Sequence, residues 1–276
     1  MNTHLLACLA SLMLLMLPSG LRAEPQQEIV RLKVRGDVEM VYLLQHERTP
    51  PKAVAVLITG GYGLLKLRAT EAGVTWEKSG SSFLVINKDL FIDNETAIAV
   101  IDVPSDQASF GYTPKFRKSA EHIADLRGIV QDLRTRFQGA KIFLIGTSQG
   151  TTSAAYAGKA MGREIDGIVL TATMFDWAPA SWRFLYDSNL NDFDFSQITA
   201  PLLMVHHVDD NCVVTPFASA AKFLDKHPFI VVKGGEPVRD NGCGPLGPHG
   251  FLGREEAVAT AVKHWLHGRP YTAEIR

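Results

Sequence analysis

The stretch Lys141-Ile-Phe-Leu-Ile-Gly-Thr-Ser-Gln-Gly150 decides how the whole chain is interpreted. Its apolar run, residues 142–145, is rich in β-branched and aromatic side chains and predicts a short buried strand. The alanine-rich segment 151–161 predicts a helix directly afterwards. Ser148 would then lie on a sharp strand-to-helix turn, with a glycine two positions to either side that has no Cβ atom to clash. We interpret this G-x-S-x-G pattern as a turn that exposes the Ser148 hydroxyl; the alternative is an ordinary serine in a glycine-bracketed turn.

The length and composition predict a single globular domain. A chain of 276 residues can bury a large core without a second domain. Apolar residues make up 46% and charged residues 21% of the chain, as in ordinary globular proteins. The sequence contains no charge block, low-complexity tract or internal repeat.

The N-terminal segment has a different character from the rest. Residues 5–17 form a nearly continuous apolar run that ends at Pro18-Ser-Gly20. A run of about a dozen residues is too short to span a membrane and is typical of a signal peptide. We therefore expect residues 1–23 to be a cleaved signal peptide and residues 24–276 to be one secreted or periplasmic domain without an integral membrane segment. The alternative is a buried N-terminal helix.

The charge of the expected mature chain argues against polyanionic partners. Residues 1–23 contain Arg22 and no acidic residue, so their removal leaves 27 basic and 29 acidic residues. This balance gives no electrostatic reason to expect binding to nucleic acid or to an anionic membrane surface. The sequence also lacks the glycine-rich fingerprints of nucleotide sites. We expect a small-molecule substrate and no cofactor; the sequence does not indicate an oligomeric state.

Strand and helix patterns alternate along most of the chain. Apolar and polar residues alternate in 28–35 and 40–45, which predicts an antiparallel hairpin. Continuous apolar segments predict strands buried on both faces at 53–59, 97–103, 142–145, 167–173, 201–207 and 229–233, the last of them closing the sheet. Helices are predicted at 81–91 after a serine cap, around 123–137, at 151–161 and around 258–266. This order predicts a mostly parallel sheet with helices on both faces.

A glycine-rich turn, Gly60-Gly-Tyr-Gly63, follows the first buried strand. Such a turn lets backbone N–H groups approach a ligand closely. It is either a plain tight turn or, together with the exposed serine, part of an oxyanion hole. In the second case the N–H of Gly61 or Tyr62 faces the developing oxyanion, and the N–H of Gln149 is the second donor.

Ser148, Asp210 and His249 each come shortly after an apolar strand. The carboxyl ends of parallel strands meet at one edge of a sheet, where the sites of such folds lie. A serine hydroxyl is a weak nucleophile that needs an imidazole to take its proton and a carboxylate to orient that imidazole. The three residue types required for nucleophilic catalysis are therefore present in the order Ser, Asp, His.

This order, with the strand–turn–helix context of the serine, resembles the α/β-hydrolase superfamily over residues 28–267. The stretch His206-His-Val-Asp-Asp-Asn-Cys-Val213 is similar to the superfamily's H-G-x-x-D-x-x-V pattern, with His207 in place of glycine. Pro248-His-Gly-Phe251 resembles the histidine loop that precedes the last helix. Similar exported bacterial hydrolases have no assigned substrate.

The resemblance implies an α/β-hydrolase fold with at most a small cap and the activity of a carboxylesterase-like serine hydrolase. Ser148 would attack the ester carbonyl, His249 would act as base and then as acid, and Asp210 would orient His249. A serine peptidase or amidase on the same residues is the alternative within catalysis. A non-catalytic binding protein that retains the fold is the alternative outside it.

Several neighbouring residues compete for these roles. Asp176, after the preceding strand, and Asp209 are alternatives to Asp210 as the acid. His206 and His207 are core residues or support the site. A metal site in this stretch is not expected, because adjacent residues on a strand point to opposite faces. His122, near the start of the long helix, is a surface or packing residue or else a substrate contact.

The segment 174–198 is unusually aromatic, with Phe175, Trp177, Trp182, Phe184, Tyr186, Phe193 and Phe195. These side chains either form a small packed excursion or cover the serine as an apolar cap. The segment is too short for a large lid domain.

Two cysteines remain once Cys8 leaves with the signal peptide. Cys212 lies two residues after Asp210, and Cys243 lies six residues before His249. If the proposed acid and base are in contact, their loops converge and the two sulfurs come within bonding range. We therefore predict a Cys212–Cys243 disulfide, which suits an exported protein; the alternative is two free buried thiols.

Overall fold

The structure is a computed structural model that describes residues 25–47, 50–71, 73–77, 82–180 and 189–276. The predicted signal peptide lies outside the described residues. Within these ranges, none of the helices combines the length and the apolar character needed to cross a lipid bilayer.

The described residues form eleven strands and six α-helices. The strands are β1 (Gln26–Arg35), β2 (Val38–His46), β3 (Ala53–Ile58), β4 (Arg68–Thr70), β5 (Gly73–Thr75), β6 (Thr96–Ile101), β7 (Lys141–Thr147), β8 (Gly167–Thr171), β9 (Leu202–His207), β10 (Phe229–Val232) and β11 (Glu274–Ile275). The helices are α1 (Phe83–Ile86), α2 (Pro114–Arg117), α3 (Ala120–Arg136), α4 (Gly150–Met161), α5 (Phe217–Ala221) and α6 (Glu255–Leu266).

One nine-stranded sheet organises the fold, in the order β1-β2-β6-β3-β7-β8-β9-β10-β11. β2 is antiparallel to β1, as the alternating pattern of the hairpin predicts, and it is also antiparallel to β6. From β6 to β11 all neighbouring strands are parallel. The prediction of a mostly parallel sheet is therefore confirmed.

The central strands are buried on both faces because helices cover both sides of the sheet. In β3, Val54, Val56 and Ile58 belong to a core shared with α3 and α4. The alternating residues Ala53, Ala55 and Leu57 belong to a second core shared with α1 and α6. Full burial of a Val, Leu or Ile side chain stabilises the fold by about 1.5–3 kcal/mol, which explains why these strands are continuous apolar runs in the sequence.

The expectation that 229–233 is the last strand is wrong. The chain returns after α6, and Glu274–Ile275 pairs with β10 in parallel. Val231 N donates to Ala273 O at 2.8 Å, and Lys233 N donates to Ile275 O at 2.8 Å. A strand of two residues has no measurable period, so sequence patterns cannot detect it.

The helix predicted at 81–91 is also different in the structure. It divides into α1 and a 3₁₀ turn at Lys88–Phe91, and no hydrogen bond from the Ser82 side chain caps α1. Asn87 separates the two pieces and donates from its side chain to Phe83 O at 3.1 Å. Such a local hydrogen bond gives the backbone an alternative to a continuous helix. The short hairpin of β4 and β5 just before it has no signal that we recognised in the sequence.

The polar candidates lie at the carboxyl edge of the parallel sheet. Ser148 follows β7, Asp210 comes shortly after β9, and His249 lies in the long connection between β10 and α6. Because β7, β9 and β10 are parallel members of one sheet, these residues project from its same edge.

We predict that Gly150→Ala disrupts the junction between β3 and α4. A Cβ atom at Gly150 would lie 2.3 Å from the backbone oxygen of Ile58, a contact that only backbone movement can relieve. We expect a loss of about 3 kcal/mol or more in the free energy of unfolding, measured by chemical denaturation.

Gly36→Ala is the matched control. It has positive φ but no atom within 4 Å of its added Cβ, so only the backbone penalty of about 1–2 kcal/mol should appear. Equal losses in the two variants would contradict close packing of α4 on β3.

Candidate active site

Ser148 lies in a strained turn between the last residue of β7 and the first turn of α4. Its φ is 52°, in the left-handed region that non-glycine residues rarely adopt. Ser148 N donates to Thr171 O at 3.0 Å, and Ser148 O accepts from Thr151 N at 3.0 Å. Strain of this kind persists where the surrounding structure fixes it, often at functional sites. The predicted sharp turn at Ser148 is present, and its side chain is partly exposed.

The glycine turn after β3 borders the serine directly. A Cβ atom at Gly60 would lie 3.0 Å from Ser148 Cβ and 3.6 Å from Ser148 Oγ. Gly61 has a φ of 53°, and Gly63 N closes the turn on Gly60 O at 3.1 Å. The backbone of this turn therefore lies directly against Ser148, where the predicted oxyanion donors have to be.

Gln149, the second predicted donor residue, lies at the N-terminus of α4 and is buried. The N-terminus of a helix carries a partial positive charge. The backbone N–H groups of Gly61, Tyr62 and Gln149 thus lie on the two segments that meet at Ser148. Their role as oxyanion donors remains a prediction.

Asp210 and His249 are in contact although 39 residues separate them. His249 Nδ1 lies 3.1 Å from Asp210 Oδ2 and 3.3 Å from Oδ1. With its proton on Nδ1, the ring has Nε2 left to accept the proton of a nucleophile. No hydrogen bond joins His249 to Ser148 in the part of the chain that the structure describes, and we expect that contact to form with substrate bound.

The buried carboxylate of Asp210 is surrounded by hydrogen-bond donors. It accepts hydrogen bonds from Cys212 N at 3.0 Å and Thr215 Oγ1 at 2.9 Å, and His206 Nε2 lies 3.4 Å away. Burial alone would raise the pKa of this carboxyl, but the attraction of His249 and the hydrogen bonds of both histidines outweigh burial. The pKa of Asp210 is therefore lowered well below its usual range, and the carboxylate stays ionised at neutral pH.

Thr215 is a site residue that sequence reasoning missed. Its hydroxyl lies 3.1 Å from His249 Nδ1 as well as 2.9 Å from Asp210 Oδ2, and its backbone oxygen lies 2.7 Å from His206 Nε2. His206 therefore supports the acid, one of the two roles considered for it. No recognised motif marks Thr215 in the sequence.

The competing aspartates do not contact His249. Asp176 accepts a hydrogen bond from Ser219 Oγ at 2.6 Å, and Asp209 is exposed. The ring of His207 has other partners, with Nε2 2.7 Å from Gly234 O and Nδ1 accepting from Asp209 N at 3.0 Å. Of the aspartates considered, Asp210 has the geometry of the acid.

The structure also describes the surroundings of His122 and the groups that could hold a metal ion. His122 is fully buried and packs on Tyr112 and Phe116 at centroid distances of 4.8 and 5.4 Å, so the surface interpretation is wrong. Among the described residues, no group of three or more His, Cys, Asp or Glu side chains is placed to hold a metal ion.

Some aromatic side chains of segment 174–198 are buried in the core, and another is exposed. Phe175 and Phe195 are buried, and Phe175 stacks on Phe223 at a centroid distance of 4.8 Å. Trp177 is exposed. Trp182, Phe184 and Tyr186 lie outside the described residues, so the predicted cap stays a prediction.

Cys212 and Cys243 are joined by a disulfide in the structure. The bond links the segment that carries Asp210 to the loop that carries His249, as the sequence predicts. Cys212 also packs in a small apolar cluster with Met174, Ala178 and Val214. The segments that carry Asp210 and His249 are thus joined by a covalent bond as well as by the contact between the two side chains.

Known families and structures share this architecture. Residues 105–193, less than half of the chain, match the family described as serine aminopeptidase, S33. An α/β serine hydrolase without a lid from Xanthomonas campestris is 14% identical, with a TM-score of 0.57 over 90% of this chain and 97% of that one. Est1E from Butyrivibrio proteoclasticus with ferulic acid bound is 13% identical, with a TM-score of 0.59 over 87% and 98%. No curated protein sequence matches the chain.

A larger enzyme also contains the fold. The acylaminoacyl peptidase of Pyrococcus horikoshii is 12% identical, with a TM-score of 0.58, and matches 89% of this chain but only 41% of its own length. At such identities the likeness shows the fold alone. The chain has the α/β-hydrolase fold, and that prediction is confirmed.

We predict that reduction of the Cys212–Cys243 disulfide lowers both melting temperature and activity. The bond closes a loop with a sequence separation of 31, which should contribute on the order of 3–4 kcal/mol in the chain-entropy model. Because it also ties the acid to the base, hydrolysis should fall at temperatures where the reduced protein is still folded.

The disulfide itself is tested by intact-mass analysis after denaturing alkylation without reductant. We expect no alkylated cysteine in the mature chain unless reductant is added first. Two alkylated cysteines without reductant would contradict the bond and weaken the case for export. The Cys212→Ala/Cys243→Ala variant controls for effects of the reductant elsewhere.

Proposed function

We propose that the chain, which has the α/β-hydrolase fold, is a serine hydrolase that cleaves carboxylic esters through an acyl-enzyme. The contact between the ionised carboxylate of Asp210 and His249 Nδ1 carries the proposal. A buried carboxylate that orients an imidazole is what activates a serine hydroxyl, and Ser148, in its strained and partly exposed turn, lies at the same edge of the sheet.

The reaction would proceed in two halves. Ser148 Oγ attacks the ester carbonyl carbon while its proton passes to His249 Nε2, and Asp210 stabilises the imidazolium that forms. The N–H groups of Gln149 and of Gly61 or Tyr62 stabilise the negative oxygen of the tetrahedral intermediate. His249 then protonates the leaving alcohol, and a water molecule releases the acid from Ser148 by the same steps.

The extent of the structural matches favours an ester over a peptide bond. The chain covers almost the whole length of the lidless hydrolase from Xanthomonas campestris and of Est1E. More than half of the acylaminoacyl peptidase lies outside the match. A peptidase or amidase activity is the second candidate, because residues 105–193 match the serine aminopeptidase family. A non-catalytic protein that retains the fold is the third candidate, and the three matching residue types argue against it.

Exposed apolar side chains indicate the kind of group that the substrate carries. Several of those among the described residues lie in connections that leave the carboxyl ends of parallel strands, among them Tyr62, Phe110, Trp177, Val213 and Leu246. Tyr62 belongs to the glycine turn that borders Ser148. We infer that Tyr62 and some of these side chains contact the acyl or alcohol part of an apolar ester.

We also propose that the mature protein is exported. The apolar N-terminal segment resembles a signal peptide, and a structural disulfide is stable in an oxidising compartment. N-terminal sequencing of the protein secreted by an expressing cell should begin at Glu24. A chain that retains Met1 in the cytoplasm would contradict export.

We predict that Ser148→Ala and His249→Ala each lower kcat/KM for p-nitrophenyl esters by about 10³-fold or more, because the remaining oxyanion donors act without a nucleophile or base. Circular dichroism and the melting temperature should stay close to those of the wild type. A Ser148→Ala variant that keeps most of its hydrolysis would remove the basis of the proposal.

The acid is tested by a matched pair of variants. Asp210→Asn should reduce kcat/KM by about 10³–10⁴-fold, because the imidazole loses its ionised partner. Asp176→Asn changes an aspartate that contacts Ser219 instead, so activity should stay within about threefold of the wild type. If Asp176→Asn were the damaging change, the acid would have been assigned to the wrong strand. Parallel assays with aminoacyl p-nitroanilides decide between ester and amide hydrolysis.

We predict that Trp177→Ala changes selectivity among esters rather than overall activity. Because Trp177 is exposed at the carboxyl edge, its removal should lower kcat/KM for octanoyl and aromatic acyl esters by about tenfold relative to the acetyl ester. Leu224→Ala removes an exposed apolar residue in the segment between α5 and β10 and should leave selectivity unchanged. Unaltered selectivity with a lower melting temperature in Trp177→Ala would favour the packing interpretation.

A further inference from the structure

Arg117 at the end of α2 is the largest fully buried side chain among the described residues and is only 1% exposed. A charged side chain is seldom buried so completely without a carboxylate partner. In the described part of the chain, the hydrogen bonds of Arg117 go to three neutral oxygens instead. A guanidinium in such a place needs a reason beyond the stability of the core.

The three oxygens belong to the two segments that meet at the nucleophile. Arg117 Nη2 donates to Thr59 O at 3.0 Å and to Gly61 O at 2.9 Å, in the glycine turn. Arg117 Nη1 donates to Ser153 Oγ at 2.8 Å, in the first turn of α4. One planar guanidinium therefore spans the turn and the helix.

These contacts fix the direction of the candidate oxyanion donors. In a planar trans peptide the C=O and N–H groups point in opposite directions. Because the Gly61 carbonyl points at Arg117, the N–H of Tyr62 in the same peptide points away from it. The peptide that carries the Gly61 N–H lies between the two anchored carbonyls, and Gly63 N holds its oxygen at 3.1 Å. Both donor candidates in the turn are thus oriented by the same contacts.

Tyr112 holds the same turn from a second direction. Its N–H donates to Tyr62 O at 2.7 Å, and its ring lies 4.6 Å from the Arg117 guanidinium carbon. Gly63 packs so tightly on this ring that an added Cβ would lie 2.5 Å from it. The turn is therefore fixed by both a cation and an aromatic ring.

Resting on the function proposed above, we propose that Arg117 is a positioning residue that sets the distance and orientation between the two halves of the oxyanion hole. It acts through the carbonyls of Thr59 and Gly61 on one side and through Ser153 on the other. A guanidinium suits this role because its donors form a rigid fork, which a lysine ammonium cannot reproduce.

The charge of Arg117 adds to the effect of its geometry. Burial lowers the pKa of Arg117 to about 10, so the side chain is still charged at neutral pH. A cation that donates to a carbonyl oxygen polarises the peptide and makes its N–H a stronger donor. The N–H groups of Gly60 and Tyr62 belong to the two peptides that Arg117 polarises.

The test compares binding of an oxyanion mimic with binding of a neutral analogue. A trifluoromethyl ketone adds Ser148 Oγ and leaves a negative oxygen in the hole, whereas the matching methyl ketone binds as the uncharged carbonyl. For Arg117→Met we expect kcat to fall by about 10²-fold with KM within about threefold. The inhibition constant of the trifluoromethyl ketone should rise in proportion, and that of the methyl ketone should not change.

Two milder variants keep the test decisive if Arg117→Met does not fold. Arg117→Lys keeps the charge without the fork, and Ser153→Ala keeps the fork but releases it from α4. Both variants should weaken binding of the trifluoromethyl ketone by about three- to tenfold relative to binding of the methyl ketone. Arg127→Met is the control, because Arg127 pairs with Glu164 on the surface and should alter stability alone.

An equal loss of affinity for both ketones would overturn the proposal and leave Arg117 a structural residue. A lower melting temperature with an unchanged ratio of the two inhibition constants would do the same. The wild type separates this outcome from failure of the proposed function. If the wild type neither hydrolyses esters nor binds the trifluoromethyl ketone, the proposed serine hydrolase function is contradicted. A wild type that does both, with Arg117 variants that match it, contradicts only the role of Arg117.

Discussion

The left-handed backbone at Ser148 is the constraint on which the rest of the site depends. A buried parallel strand must become a helix within two residues, and α4 then crosses β3 closely enough that a single Cβ at Gly150 would strike the Ile58 oxygen. This turn lifts the serine above the sheet edge and aims the N-terminus of α4 at it. The glycine turn after β3 and the loops after β9 and β10 leave the sheet at the same edge because all these strands are parallel.

Asp210 and Arg117 are two of the charged side chains that the structure buries. Asp210 is ionised beneath the surface because histidine, threonine and backbone donors surround it. Arg117 is buried with neutral oxygens and an aromatic ring instead. Each would be costly as an isolated ion, since desolvation in the interior outweighs modest attraction. Both lie beside the proposed reacting groups, where fixed charges have a larger effect than in water.

The sequence predicted the parts of the fold that have long periodic patterns or a rigid motif. Continuous apolar runs identified the central strands, and the G-x-S-x-G context placed Ser148 correctly at the turn. The two-residue strand β11 and the division of the 81–91 helix were beyond prediction, because they depend on one or two local hydrogen bonds rather than on periodicity. Thr215 and Arg117 were missed for a related reason. Their neighbours are distant in sequence, so only the folded chain reveals what they contact.

Covalent labelling tests most directly whether His249 activates Ser148 as a nucleophile. The purified mature protein is treated with a fluorophosphonate, and intact mass and peptide mapping locate the adduct. We predict one adduct per chain on Ser148, formed at a rate that falls by about 10³-fold in His249→Ala. An unmodified protein, an adduct on another residue, or an unchanged rate in His249→Ala would contradict this activation.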